Sequence, residues 1–283
     1  MDEVQPTPSA SALEVAFFKA AHQVVDRPLV FEDPLALTIL GDDLAQRILD
    51  RPDVAAGNAG PRAAIVARSR ADDDQLAAAI ERKVWQRIVF GAGLDTRGVR
   101  GDRDEDLTTW EVDLPGPLAW KRQRLDAAGL DPTGRLIQVP LDLRTDAIAS
   151  GLSAAGFDLG RPAHVSMLGI LVFLPPATVS KLFGFVASLA YGSSLTFDYG
   201  ALDAELPPEQ RAVRNAAARE SAKRGEPFGS FLDPTDVRRQ LRRLGFYEIV
   251  DRDWQAMNDE FFAGRGDGLA VHPSGRHLLT CRR

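Results

Sequence analysis

Five short apolar runs punctuate the chain: Arg87-Ile88-Val89-Phe90, Thr109-Trp110-Glu111-Val112, Leu136-Ile137-Gln138-Val139, His164-Val165-Ser166-Met167-Leu168 and Ser194-Leu195-Thr196-Phe197. Stretches with helical spacing, including Pro117–Ala128 and Pro176–Ala190, separate most of them. Parallel neighbours in a sheet need a crossover long enough to hold a helix, so strands alternating with helices predict a doubly wound, mostly parallel α/β sheet. Towards the end, Asp233 is placed to cap a helix whose first turn holds Pro234 and Asp236, and Gly245 to stop it. Phe246–Val250 and His277–Cys281 then read as a final hairpin with a long connection, which brings in an antiparallel strand.

Ahead of the first strand the pattern is helical. Leu13, Phe17 and Ala21 recur at helical spacing, short helices follow Pro34 and run around Leu44–Leu49, and Ala63 to Ile80 reads as a longer one. The first dozen residues, with Pro6 and Pro8, read as a loose arm. The division expected is a helical amino-terminal cap over 1–84 and an α/β core over 85–283, with a helical insertion near 200–230.

Composition removes several function classes. With 283 residues, 45% apolar and 26% charged, the chain can bury a core. A net charge of −6 gives no overall drive towards nucleic acid or anionic lipid, so neither is expected as a partner. No apolar stretch approaches the ~18 residues of a membrane span, and the acidic start Met1-Asp2-Glu3 is unlike a secretory signal, which predicts a cytoplasmic protein. The lone Cys281 cannot form an internal disulfide, and His22, His164, His272 and His277 show no metal-ligand spacing, so no metal is expected. The patterning carries no sign of oligomeric state.

The chemistry concentrates after the first strand, at Gly91-Ala92-Gly93-Leu94-Asp95-Thr96-Arg97. Glycines directly after a strand let backbone approach a nucleotide lying over the sheet's carboxyl edge. Thr96 occupies the place where a nicotinamide-binding loop has a third small residue, which disfavours an oxidoreductase. Asp113 closes the next strand and can accept hydrogen bonds from both hydroxyls of an adenosine ribose. Asp142 and Leu143, after the third strand, are placed to meet an adenine.

These pieces, with Pro28-Leu29-Val30-Phe31-Glu32-Asp33-Pro34-Leu35-Ala36, Ala67-Arg68-Ser69-Arg70, Glu111-Val112-Asp113-Leu114-Pro115 and Val139–Arg144, resemble the leucine carboxyl methyltransferase family. Phe197-Asp198-Tyr199 and Phe261–Arg265 add to the likeness, which spans nearly the whole chain and points to the bacterial branch found around polyketide and other small-molecule pathways. The resemblance implies a class I, Rossmann-like methyltransferase that binds S-adenosyl-L-methionine. Arg68 would meet the methionine carboxylate, Gly91, Ala92 and Gly93 would line the donor, Asp113 and Leu114 would hold the ribose end, and Asp142 and Leu143 would flank adenine. Leu168 would also touch the donor, although well-known relatives carry an acidic residue there, and Phe173 stands where they have a tyrosine.

A sulfonium methyl is already activated, so alignment of an acceptor oxygen suffices and no catalytic residue is singled out. The expected partner is a small-molecule methyl acceptor, a carboxylic acid or phenol. Phe18, His22, Arg70, Phe173 and Tyr199 are the candidates for touching it: His22 as a base on a closing helix, Arg70 for an anionic group, the rings, with Phe17, as an aromatic wall. The alternative is a non-catalytic donor-binding or scaffold protein, motivated by Leu168 and Phe173.

Overall fold

Burial along an entire strand is the mark of a parallel strand covered on both faces, and Gln86–Phe90 (β1) and Ser194–Gly200 (β5) are buried from end to end. The computed structural model describes residues 9–100, 106–130 and 135–283. Helices come first: α1 (Ala10–Val25), α2 (Ala36–Leu40), α3 (Asp42–Asp50), α4 (Pro52–Ala55) and α5 (Ala59–Glu81). After β1 follow β2 (Thr108–Asp113), α6 (Pro115–Ala127), β3 (Leu136–Pro140), α7 (Ile148–Ala154), β4 (His164–Met167), α8 (Pro176–Ser188) and β5. The chain ends with α9 (Pro208–Lys223), α10 (Pro234–Arg243), β6 (Tyr247–Arg252), α11 (Trp254–Phe261) and β7 (Arg276–Arg282).

The strands form one sheet in the order β3-β2-β1-β4-β5-β7-β6. The first five are mutually parallel, and β7 runs antiparallel to both β5 and β6. The doubly wound sheet with an antiparallel carboxyl-terminal strand is therefore the fold expected. Strand order reverses beside β1, between β2 and β4, which opens a crevice beyond the carboxyl ends of these strands.

The amino-terminal helices belong to that crevice. Among the described residues the β1–β2 connection holds only a single 3-10 turn, Arg97–Val99. The apolar surface there is covered by Ala16, Ala20, Ile39 and Leu40, packed with Leu94, Leu125 and Leu136. Thr96 fastens this arrangement, donating its hydroxyl to Asp33 at 2.7 Å. The residue that breaks the nicotinamide pattern thus ties the glycine loop to the amino-terminal segment.

The structure sharpens three sequence expectations. The strand read over 164–168 stops at Met167, because the chain turns at Gly169 with φ +74°. The long connection between the last two strands contains α11, capped by Asp253, whose side chain accepts the Ala256 N–H at 2.9 Å. Of the loose arm read over the first dozen residues, 1–8 lie outside the described residues, and α1 begins at Ala10, one residue before the start read near Ser11, with Ser9 as its cap. The Asp233 cap and the left-handed Gly245 stop are as expected. Among the described residues no helix is long and apolar enough to cross a membrane.

Candidate active site

A cavity of about 530 Å³ lies beyond the carboxyl ends of β1, β2, β3 and β4, roofed by α1. Its floor is backbone. Gly91 has φ +65°, and a Cβ there would fall 1.9 Å from Cγ2 of Ile170. Gly93 has φ +47°, with the same added atom 3.1 Å from the Ala12 methyl. Both positions therefore favour glycine for conformation, and Gly91 needs it for space as well.

Asp113 stands at the end of β2 with its carboxylate against this loop. One oxygen accepts the Gly93 N–H at 2.9 Å and the other the Leu114 N–H at 2.8 Å. Burial pushes its carboxyl above the ordinary value, and the two amides act against that push. A carboxylate has about four acceptor sites, so two amides leave room for a pair of hydroxyls. Farther along the edge, Arg144 clamps Asp142 with two hydrogen bonds of 2.9 Å, and this hydrogen bonding holds the Asp142 carboxyl below its usual range. Leu143 is buried beside them and also lines the cavity.

At the other end Arg68 reaches in from α5, with Leu168 and Gly169 next to it on the lining. Its guanidinium donates to Asp198 at 2.8 Å, deep in the protein. Below lies a buried polar network. Arg87 pairs with Asp72 at 2.9 Å and with Asp95 at 3.1 Å, while Ser166 and His164 also hydrogen-bond Asp72. Lys19, from α1, lies 3.9 Å from Asp95; desolvation lowers its pKa, and Asp95 opposes that effect. Burial alone would raise the Asp95 carboxyl, but Arg87, Lys19 and Lys121 together hold it far below the usual range.

The remaining wall is apolar and built by Val15, Ile170, Phe173 and Leu174. Phe173 meets Phe228 edge-on, with centroids 5.5 Å apart. At the rim, Glu226 accepts the Ala10 N–H at 2.9 Å and the Ser11 N–H at 3.1 Å, so an acid after α9 caps the first turn of α1.

Every residue expected to contact the donor, from Arg68 through Gly91, Ala92, Gly93, Asp113, Leu114, Asp142 and Leu143 to Leu168, lines this one cavity, and so does Phe173. Four of the acceptor candidates do not. His22 is fully buried, bonded to Asp26 at 2.7 Å and accepting the Val30 N–H at 3.1 Å, so it staples the chain after α1 and faces no substrate. Phe18 is buried against Phe17 and absent from the lining, as is Phe17 itself. Arg70 points outward and pairs with Asp74 at 2.8 Å. Tyr199 is buried in the core of the sheet, donates to Asp251 of β6 at 2.8 Å and stacks on its cross-strand neighbour His277 of β7. Lys19, Ser166, Ile170 and Glu226 are among the lining residues that the sequence reading missed. For Lys19 there was a signal: a lone charge inside the apolar run Phe17-Phe18-Lys19-Ala20-Ala21.

A sheet ordered 3-2-1-4-5-7-6, with a hollow of about 530 Å³ at its switch point, is the Rossmann-like architecture that the resemblance implies for a class I methyltransferase. Comparison with known proteins is specific. The leucine carboxyl methyltransferase family profile matches residues 12–187. A Mycobacteroides abscessus protein named as an S-adenosyl-L-methionine-dependent methyltransferase is 34% identical, over 97% of this chain and 90% of its own. One of the same name from Mycobacterium tuberculosis is 35% identical, over 73% of this chain and 68% of its own. Among solved structures, a Thermobifida fusca protein described as a methyltransferase superposes with a TM-score of 0.60 at 19% identity, covering 100% of this chain and 96% of that one. A DUF574 family protein from Streptomyces avermitilis gives 0.60 at 17% identity, covering 99% and 100%. These last two are likenesses of fold. The chain belongs to the leucine carboxyl methyltransferase family and is an S-adenosylmethionine-dependent methyltransferase.

Proposed function

We propose that the protein methylates an oxygen of a small acceptor, foremost a carboxylic acid, of the kind met in polyketide and other small-molecule pathways. The observation that carries this reading is the state of the acids around the cavity. Asp113 and Glu226 each hold two backbone amides, Asp142 holds Arg144, and Asp95 holds Arg87. With each lining carboxylate engaged, the arrangement suits an acceptor that needs no proton removed, and a carboxylate is ionised at neutral pH.

In this reading residues 1–84 cap a core of 85–283. Asp113 would accept the ribose hydroxyls, Leu143 would pack on adenine, Arg68 would donate to the methionine carboxylate, and Leu168 would border the sulfur end. Bound there, S-adenosylmethionine supplies an electrophilic methyl group. Val15, Ile170, Phe173 and Leu174 would hold the acceptor in line and keep water out, the alignment from which ~7–11 kcal/mol of barrier lowering can come. A phenolic acceptor is the second reading, favoured by Lys19, an amine that lines the cavity and would be the group to receive a phenol's proton.

Incubation with isotopically labelled S-adenosylmethionine and a panel of aromatic acids, aliphatic acids and phenols tests the proposal by mass spectrometry. Methyl ester formation is expected. Donor binding without transfer to any acceptor favours a scaffold, and failure of the folded protein to bind the donor sinks the proposal. Loss of phenol methylation alone on Lys19→Met would establish the second reading.

A further inference from the structure

We propose that Asp198 is a positioning residue that sets both the Arg68 guanidinium and the Gly169 backbone at the methionine end of the cavity, an inference that rests on the donor reading above. Asp198 lies towards the carboxyl end of β5 and is 4% exposed. One of its oxygens accepts from Arg68 at 2.8 Å and from Arg276 of β7 at 3.0 Å, while the other accepts the Gly169 N–H. A single carboxylate thereby joins α5, β7 and the turn after β4.

The geometry around Gly169 shows how closely the parts fit. Its φ of +74° lays the backbone against the guanidinium, and an added Cβ would stand 2.8 Å from Nη2 of Arg68. Arg68 and Arg276 share Asp198, and without it two cations would face each other with nothing between them. Arginine is a long side chain whose planar fork serves a carboxylate only when aimed, and Asp198 fixes that aim before any ligand arrives. Asp198 is absent from the cavity lining, so its influence passes through Arg68 and Gly169.

The test uses calorimetry on the full chain with two probes: S-adenosylhomocysteine, which carries the amino-acid end, and 5′-methylthioadenosine, which lacks it. Asp198→Asn should weaken S-adenosylhomocysteine by roughly tenfold, leave methylthioadenosine unchanged, and make a further Arg68→Ala substitution nearly silent. Asp198→Glu keeps the charge and moves the oxygens; it should show the same selective loss, and it carries the test if the asparagine variant does not fold. Native binding of S-adenosylhomocysteine, or equal loss of both probes, overturns the assignment. Arg68→Ala in the native background separates the two claims. If it spares S-adenosylhomocysteine, the donor reading at this end fails; if it is selective while the Asp198 variants are not, only the role of Asp198 falls.

Discussion

The Asp113 carboxylate takes the Gly93 amide at 2.9 Å, so the acid that ends β2 and the glycine loop that follows β1 form one rigid unit. Substituting Asp113 should therefore do more than remove a ligand contact. Asp113→Ala is expected to weaken S-adenosylhomocysteine binding by more than tenfold, since each hydrogen bond to a charged group contributes about 1.5–3 kcal/mol. Titration calorimetry reads this directly, and native affinity in the variant would remove Asp113 from the binding site.

Acid should act on binding before it acts on the fold. Burial raises the Asp113 carboxyl above its usual 3.8, so the ionised form that would accept two hydroxyls is lost first as pH falls. Asp72 and Asp95 behave oppositely. Burial pushes each up, but His164 and Arg87 around Asp72, and Arg87, Lys19 and Lys121 around Asp95, hold both below 3.8. A depressed folded-state value means that the unfolded chain binds the proton more readily, so their stabilisation is complete above the usual value and is lost as pH drops beneath it. Donor affinity measured against pH should decline while urea-unfolding stability still holds, and Asp113→Asn should flatten the binding limb alone. Coincident declines would contradict this order.

Lys121 and Glu111 form a fully buried pair at 2.5 Å, with the lysine also donating to the Asp95 carbonyl. Removing one partner leaves a charge stranded in the interior, which costs about 3–5 kcal/mol. Lys121→Met should lower stability by that order in urea unfolding, and adding Glu111→Leu should recover most of it. Because a stranded carboxyl can escape by taking a proton, the deficit should shrink as pH is lowered. A methionine variant as stable as the native chain would show that the pair contributes nothing net.

How far the sequence disclosed this molecule depends on the distance over which each feature is written. The strands are local, since four or five apolar residues ending in a turn are enough to mark them. The end proposed for adenosine is nearly as local: Gly91, Asp113 and Asp142 each follow or close a strand, and parallel neighbours bring strand ends together. The end proposed for the methionine is not local. Arg68 meets Asp198 across 130 positions, and Glu226 caps α1 from 216 away, pairings that no spacing rule contains. The misplaced residues share one cause. Helical or strand periodicity tells which residues share a face, but not what packs against it, so Tyr199 reads like a site residue while it is buried in the core with Asp251 and His277 as its polar neighbours.

His22 illustrates the same limit and gives a sharp contrast between structure and chemistry. Its Nε2 accepts the Val30 N–H at 3.1 Å and the Phe31 N–H at 3.3 Å, so the proton of the neutral ring sits on Nδ1 and is donated to Asp26 at 2.7 Å. Both ring nitrogens are used, and none of the ring reaches the cavity. His22→Ala would leave two buried amides without an acceptor, each costing about 1–3 kcal/mol, and Asp26 would keep only its pair with Arg62. The expected variant unfolds at lower temperature and urea concentration, yet shows native methyl transfer per folded molecule with an unchanged pH profile. His22→Gln, which restores one acceptor, should regain part of the stability. A variant that stays fully stable and loses turnover would instead return His22 to the role of base.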